Sequence, residues 1–249
     1  MRLQLTWISL AVVSIALIAC GGDGYSASTT ASSPTPSEQS DRAARDAGAT
    51  PTAAPSEDSL AASMLPTLAD FPTGWVHRPA SPDEDLAVAG PEAIRACFQP
   101  ELTGLTGTAV GGEFSDSNTT RLSINPSVYV FNNETNAEQA VQTIAARAQC
   151  FADTIGDGLD VDESFAFGPT YTEALNAGDF GAKSAVRLFD TQIYKDQNPV
   201  RSDVLVFDII IVAEGRVLYQ LEGFQRHTAI DQALLKRYVD EAAARIRQQ

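Results

Sequence analysis

Residues Val204–Phe224 read VLVFDIIIVAEGRVLYQLEGF, two apolar runs set back to back. The first, Val204–Ala213, is rich in β-branched side chains and interrupted by one carboxylate, Asp208; the second is Val217–Phe224. Runs of this length and composition fit strands, and Glu214-Gly215 between them predicts a two-residue hairpin connection. Working back along the chain, strands are expected near 182–194, 161–172, Leu122–Phe131 and Val110–Phe114. Pro126 has no N–H to give to a ladder, so an edge position or a bulge is expected there. Consecutive strands joined by short loops make the sheet mainly antiparallel.

Helices flank these strands. From Glu134 to about Ala152, the residues Ala137, Ala140, Val141, Ile144, Ala148 and Phe151 recur at helical spacing and predict one buried stripe. A C-terminal helix is expected after Thr228, read as its N-cap with Asp231 three residues on. It runs to about Arg247 with Leu234, Leu235, Tyr238, Val239, Ala242 and Ile246 turned inward. Shorter helices are expected at Leu60–Leu65, before Pro66, and from Pro91 to about Phe98. The fold class is therefore α+β: one mainly antiparallel sheet covered by two long helices and one or two short ones. Residues 59–249 form this single domain, of a size that supports one core.

Ahead of the domain the chain changes character. Arg2 is followed by Trp7–Ala19 (WISLAVVSIALIA), an apolar run that as a helix spans about 20 Å, short of the roughly 30 Å hydrocarbon core. A positive start, a short apolar run and a small-residue end read as a secretion signal. Its end, Leu17-Ile18-Ala19-Cys20 before Gly21-Gly22, resembles the lipobox of bacterial lipoproteins. That resemblance implies cleavage before Cys20, a thioether to diacylglycerol on Cys20 and further acylation, palmitate for instance, of the freed amine. Two or more acyl chains hold a protein durably on a membrane, whereas one does not. Residues 1–19 are thus read as a signal peptide, and 20–58 as the lipidated Cys and a disordered Ser/Thr/Pro/Ala-rich tether. Tyr25 is the tether's one large apolar side chain, too little to offset the entropy of ordering it. A flexible chain of that length reaches roughly 35 Å.

The chain of 249 residues has 17 basic and 32 acidic side chains, a formal charge of −15. That sign argues against a nucleic-acid partner, which requires clustered Lys and Arg. Three Cys and two His leave little for a soft-ligand metal site. With Cys20 acylated, Cys97 and Cys150 form an even pair in an exported domain and are expected to be disulfide-bonded. Cys150 lies more than 90° around its helix from the stripe through Ile144 and Ala148, so the bond should tie the 91–98 segment to the helix flank.

No Gly-x-Ser-x-Gly elbow, Walker loop, dinucleotide-binding glycine pattern or HExxH helix occurs, and no cofactor or catalytic residue is assigned. His77 and His227 are read as structural or exposed. The run GDGLDVDE places Asp157, Asp160, Asp162 and Glu163 together. An EF-hand register from Asp160 puts Phe165 and Tyr171 where Gly and Glu belong, so a solvated acidic turn is expected and no metal. Asp208, flanked by apolar residues, is expected to be half buried and to need a donor, Arg187 or Lys183 on the neighbouring strand. It is read as a structural pair or, as the alternative, a ligand anchor. Trp75 with Phe71 is read as a core plug, against a pocket lining. The sequons at Asn118 and Asn133 are read as coincidental.

The entry Pro66–Trp75 (PTLADFPTGW), Cys97 near the first long helix, a helix ending at Cys150, Gly178-Asp179 before the late strands, and a C-terminal strand and helix form a shared layout. It resembles that of actinobacterial-type envelope lipoproteins. Related domains form the extracellular sensor of certain mycobacterial Ser/Thr kinases, and others are assigned to the Mog1/PsbP-like class. The resemblance covers most of 60–249 and implies a sheet-and-helix sandwich with a cleft. The kinase sensor pattern has two disulfides and this chain has cysteines for one, so no ligand residue is carried over. The function expected is a lipid-anchored lipoprotein on the extracytoplasmic face of the cell membrane, displaying a non-enzymatic binding or sensor-like domain. Its ligand would be a small molecule, a lipid or an envelope protein. The alternative is an accessory subunit that docks an envelope complex.

Overall fold

The computed structural model describes residues 55–80, 97, 101–116 and 122–249. Residues 1–54, with Cys20 and most of the expected tether, and nearly all of the expected 91–98 helix lie outside them; residues 56–58, expected in the tether, belong to the first helix and its cap. Ser56–Gln249 packs as one compact unit. It starts three residues before the expected Ser59 because Ser56 caps the first helix, its Oγ accepting from Ser59 N at 3.2 Å.

The elements run α1 (Glu57–Ser63), β1 (Trp75–Arg78), β2 (Leu105–Val110), β3 (Glu113–Asp116), β4 (Leu122–Phe131), α2 (Glu134–Ile155) and β5 (Leu159–Asp160). Then follow β6 (Phe165–Ala174), α3 (Ala177–Phe180), β7 (Ser184–Tyr194), β8 (Arg201–Glu214), β9 (Val217–Arg226) and α4 (Gln232–Ile246). The strands form one sheet in the order β1-β3-β4-β9-β8-β7-β6-β5, with β2 also paired to β4. Every pairing is antiparallel. This is the α+β class expected, with α2 and α4 as the long helices.

β8 lies near the middle of the sheet and is covered on both faces, which is why its sequence is a continuous apolar run. Ile210 and Val212 join a core with β4, β9, α1 and α4, where Leu235, Tyr238, Val239 and Ala242 are buried. Ile211 and Ala213 point the other way, to Ala137, Ala140, Val141 and Ile144 of α2. Farther along α2, Ala148, Phe151, Ala152 and Ile155 pack on Phe167 and Leu188. Each large side chain buried this way contributes about 1.5–3 kcal/mol. The stripe expected on α2 is buried throughout, and the helix continues three residues past Ala152 to Ile155.

Several boundaries differ from expectation. The β8–β9 turn is Gly215-Arg216, one residue later than Glu214-Gly215, with Glu214 paired to Val217. Gly215 takes φ +55°, a conformation that favours glycine. The expected strand Val110–Phe114 is divided between β2 and β3 by Gly111-Gly112. A Cβ on Gly112 (φ +74°) would lie 2.3 Å from the Arg78 carbonyl oxygen, so a turn must form there. Pro126 is not on a sheet edge: β4 pairs with β9 on one side and with β2 and β3 on the other. Its carbonyl accepts from Gly111 N. The carbonyl and ring nitrogen of a strand residue face the same neighbour, so the missing N–H faces the break between β2 and β3 and leaves the β9 ladder intact. The N-cap of α4 is Asp231, which accepts from Ala233 N at 2.8 Å, and not Thr228, whose hydroxyl accepts from Gln225.

Candidate functional site: a polar floor beside the long helix

Several of the side chains singled out by sequence have partners within the fold. Asp208 is fully buried, deeper than the half-burial expected, and the register sets Arg187 directly opposite. Arg187 donates through Nε to Oδ1 at 2.6 Å and through Nη2 to Oδ2 at 2.8 Å, a two-pronged contact that holds the pair charged. Burial pushes the Asp208 carboxyl up and the guanidinium draws it back, while the hydrogen bonds to Asp208 push Arg187 up. Lys183, the other candidate donor, is exposed. Phe71 is buried and stacks on both Phe114 and Trp75, at ring distances of 4.2 and 5.0 Å.

His77 Nε2 lies 2.7 Å from the Gly111 carbonyl oxygen, and the ring stacks on Phe114. His227 is exposed, its Nε2 3.6 Å from Asp203 Oδ1. In the acidic turn, Asp162 Oδ1 accepts from Ser164 N, Ser164 Oγ and Phe165 N. These bonds, the Ser164 hydroxyl foremost, hold its carboxyl below the usual range. Asp160 meets Lys195 at 3.3 Å. Among the described residues no group of three or more His, Cys, Asp or Glu side chains is placed to hold a metal. Asn133 is the N-cap of α2; Asn118 lies outside the described residues. Cys97 and Cys150 are joined by a disulfide, with Cys150 exposed on the helix flank and Cys97 buried.

The sequence reading missed the sheet face beneath α2. On this face the inward positions of four strands alternate with the α4-side core and carry polar groups although they are shielded from solvent. Asn125, Ser127, Gln192, Asp190, Asp203 and Gln220 are each at most 4% exposed. The register sets Asn125 opposite Glu222 and Ser127 opposite Gln220. It also sets Thr170 opposite Asp190 and Gln192 opposite Asp203. Between these two polar patches, Phe224 pairs with Phe207, rings 5.1 Å apart and half buried.

In the patch on β6 and β7, Asp190 accepts from the Thr170 hydroxyl at 3.1 Å and from Gln192 Nε2 at 3.3 Å. Gln192 Oε1 in turn accepts from the Tyr194 hydroxyl at 2.8 Å. Nearby, Asp203 is held by Arg201, through Nε at 3.0 Å, and by Arg226 at 3.4 Å. In the patch on β4 and β9, Gln220 Nε2 donates to Glu222. Arg147 of α2 reaches over it, hydrogen-bonded to the Tyr129 hydroxyl and close to Glu222. Arg147 is 5% exposed, yet among the described residues its Nε and Nη2 have no hydrogen-bond partner, and neither has Gln220 Oε1. Unsatisfied buried polar atoms are uncommon in folded proteins, because each forgoes its hydration. Here three occur in one cluster.

The electrostatics of the floor are testable through pH. Burial pushes Asp190 up to about 6, against the opposing hydrogen bonds from Gln192 and Thr170. Burial likewise pushes Glu222 up to about 7, against Arg147 and Gln220. Both carboxyls hold their protons more tightly folded than unfolded. Their stabilising contribution is therefore complete near pH 4 and is lost as pH rises through about 6 and 7. The urea midpoint of the protein is expected to fall between pH 4.5 and 7.5. The double variant Asp190→Asn/Glu222→Gln should show a smaller fall; an equal fall would contradict the assignment.

One signal could have located this face. Arg147 stands three residues after Ile144 and four before Phe151, inside the apolar stripe and not opposite it. Glu222 and Asp190 carry no such mark, because only the strand register shows which face they join.

No family model matches this chain, and no curated protein matches it. Among solved structures it is similar to the extracellular domain of PknH from Mycobacterium tuberculosis. The two share 12% sequence identity and a TM-score of 0.44, over 77% of this chain and 97% of that one.

Proposed function

We propose that this chain is a lipoprotein anchored through Cys20 on the extracytoplasmic face of the cell membrane, and that its α+β domain is a non-enzymatic binding module of sensor-like type. The ligand seats on the polar floor beside α2. The observation that carries the reading is the cluster of Arg147 and Gln220, buried with hydrogen-bonding atoms unpartnered. A binding site built to hydrogen-bond its ligand leaves such atoms unsatisfied when empty. The aromatic pair Phe207–Phe224 beside them adds the apolar area that pockets combine with a few convergent polar groups. The Leu17–Cys20 motif after its apolar run supports the anchor. Cys97–Cys150 suits an oxidising compartment. Among the described residues the two histidines engage a backbone carbonyl and the Asp203 carboxylate and not a nucleophile, which favours binding over hydrolysis.

The test is native mass spectrometry of the full chain extracted from its own membrane. The expected spectrum shows a protein beginning at an acylated Cys20 that carries a small molecule. A bare chain with a stoichiometric protein partner would favour the accessory-subunit reading. Intact Met1 material from the soluble fraction would overturn the anchor.

A further inference from the structure

The chemistry of the unpartnered atoms narrows the ligand class. Arg147 presents two unpartnered N–H groups, Nε and Nη2, on adjacent arms of a planar fork. That geometry matches two oxygens of a carboxylate or phosphate. Gln220 Oε1, unpartnered in the same cluster, needs a donor, while Gln220 Nε2 is already given to Glu222. A simple anion satisfies the first need and not the second. A head that carries an oxyanion next to a hydroxyl satisfies both. Glu222, half buried beside the cluster, when ionised repels a multiply charged anion and tolerates a single charge paired by Arg147. Phe207 and Phe224 adjoin the cluster across the register from Ser123 and Leu188, so an apolar body extending from the head is covered by aromatic surface.

We infer that the floor binds an amphiphile with a singly charged oxyanion head bearing a hydroxyl, the head on Arg147 and Gln220 and the apolar body over Phe207 and Phe224. This rests on the binding reading above and specifies its ligand. The same features make a distinctive stability forecast. A buried guanidinium with unmet hydrogen bonds is a liability to the fold, as functional groups often are. Replacing it by an apolar side chain of similar length should leave the empty domain as stable or more so.

The test uses the full chain in phosphatidylcholine nanodiscs, titrated calorimetrically against empty nanodiscs with hexyl phosphate, inorganic phosphate and hexanol. Hexyl phosphate at pH 6 is expected to bind at least about 30-fold more tightly than either, because head and body each contribute. Arg147→Met should weaken hexyl phosphate by about 30-fold or more, with an unfolding midpoint equal to or above that of the parent. Equal binding of inorganic phosphate would overturn the lipid source, leaving a free anion as the ligand. Equal binding of hexanol would overturn the charged head. A Arg147→Met protein that unfolds or loses several degrees would make Arg147 a structural residue and overturn the assignment. If the membrane-extracted protein carries a neutral small molecule, this inference fails and the binding reading stands; if it carries none and hexyl phosphate does not bind, both fail.

Discussion

Asp208→Ala is expected to lower the unfolding free energy by about 3–5 kcal/mol, read as a drop in urea midpoint at unchanged slope. Asp208 is fully buried and Arg187 is 8% exposed. Truncating Asp208 removes the buried two-pronged partner of Arg187 and leaves only Glu173, exposed across the register on β6, to offset its charge. The pair itself is a different matter. Taking two ions out of water costs nearly what their contact returns, and β-branched residues pack well in a strand covered on both faces. The double variant Arg187→Leu/Asp208→Val should therefore recover to within about 1 kcal/mol of the parent. A single substitution that costs less than about 1 kcal/mol would show the pair to be open to solvent, and with it the packing of α4 across β8 would be in error.

Reduction of Cys97–Cys150 comes next in size. The cysteines are 53 residues apart, and closing a loop of that length removes about 4 kcal/mol of unfolded-chain entropy. For a domain of this size that corresponds to a fall of roughly 8–16 °C in Tm, expected alike from dithiothreitol and from Cys97→Ser/Cys150→Ser. Because Cys150 sits on the exposed flank of α2 and not in its apolar stripe, the helix itself should survive. Far-ultraviolet circular dichroism at 20 °C should be unchanged. Loss of helical signal on reduction at that temperature would mean that the bond, and not the stripe on Phe167, Leu188 and Ile211, holds α2 in place.

Much of this architecture is legible along the chain, for identifiable reasons. The β8–β9 hairpin is written in two apolar runs and a turn, and α2 in the recurrence of Ala137, Val141, Ile144 and Ala148. Both patterns are local. Arg187 is one of two donors that reading offers Asp208; choosing between them takes the register, a non-local quantity. Pro126 misled for the same reason, since an interior strand tolerates proline where two partners meet end to end, and that junction is made by glycines fifteen residues away. The floor was hidden more thoroughly. Glu222 and Gln220 lie in a strand whose apolar neighbours signal burial, yet polar residues in strands ordinarily mark the wet face. Arg147 stood in plain view, but an arginine in a helix reads as solvated until the sheet beneath it is known.

The claim on which the functional account turns is that Arg147 and Gln220 await a ligand. A crystal structure of the protein purified from its own membrane tests it most directly. The account predicts a non-protein group with an oxygen within about 3.2 Å of Arg147 Nε or Nη2, an atom that hydrogen-bonds Gln220 Oε1, and an apolar tail against Phe207 and Phe224. Ordered water alone at those atoms, or a protein side chain already satisfying them, would contradict it.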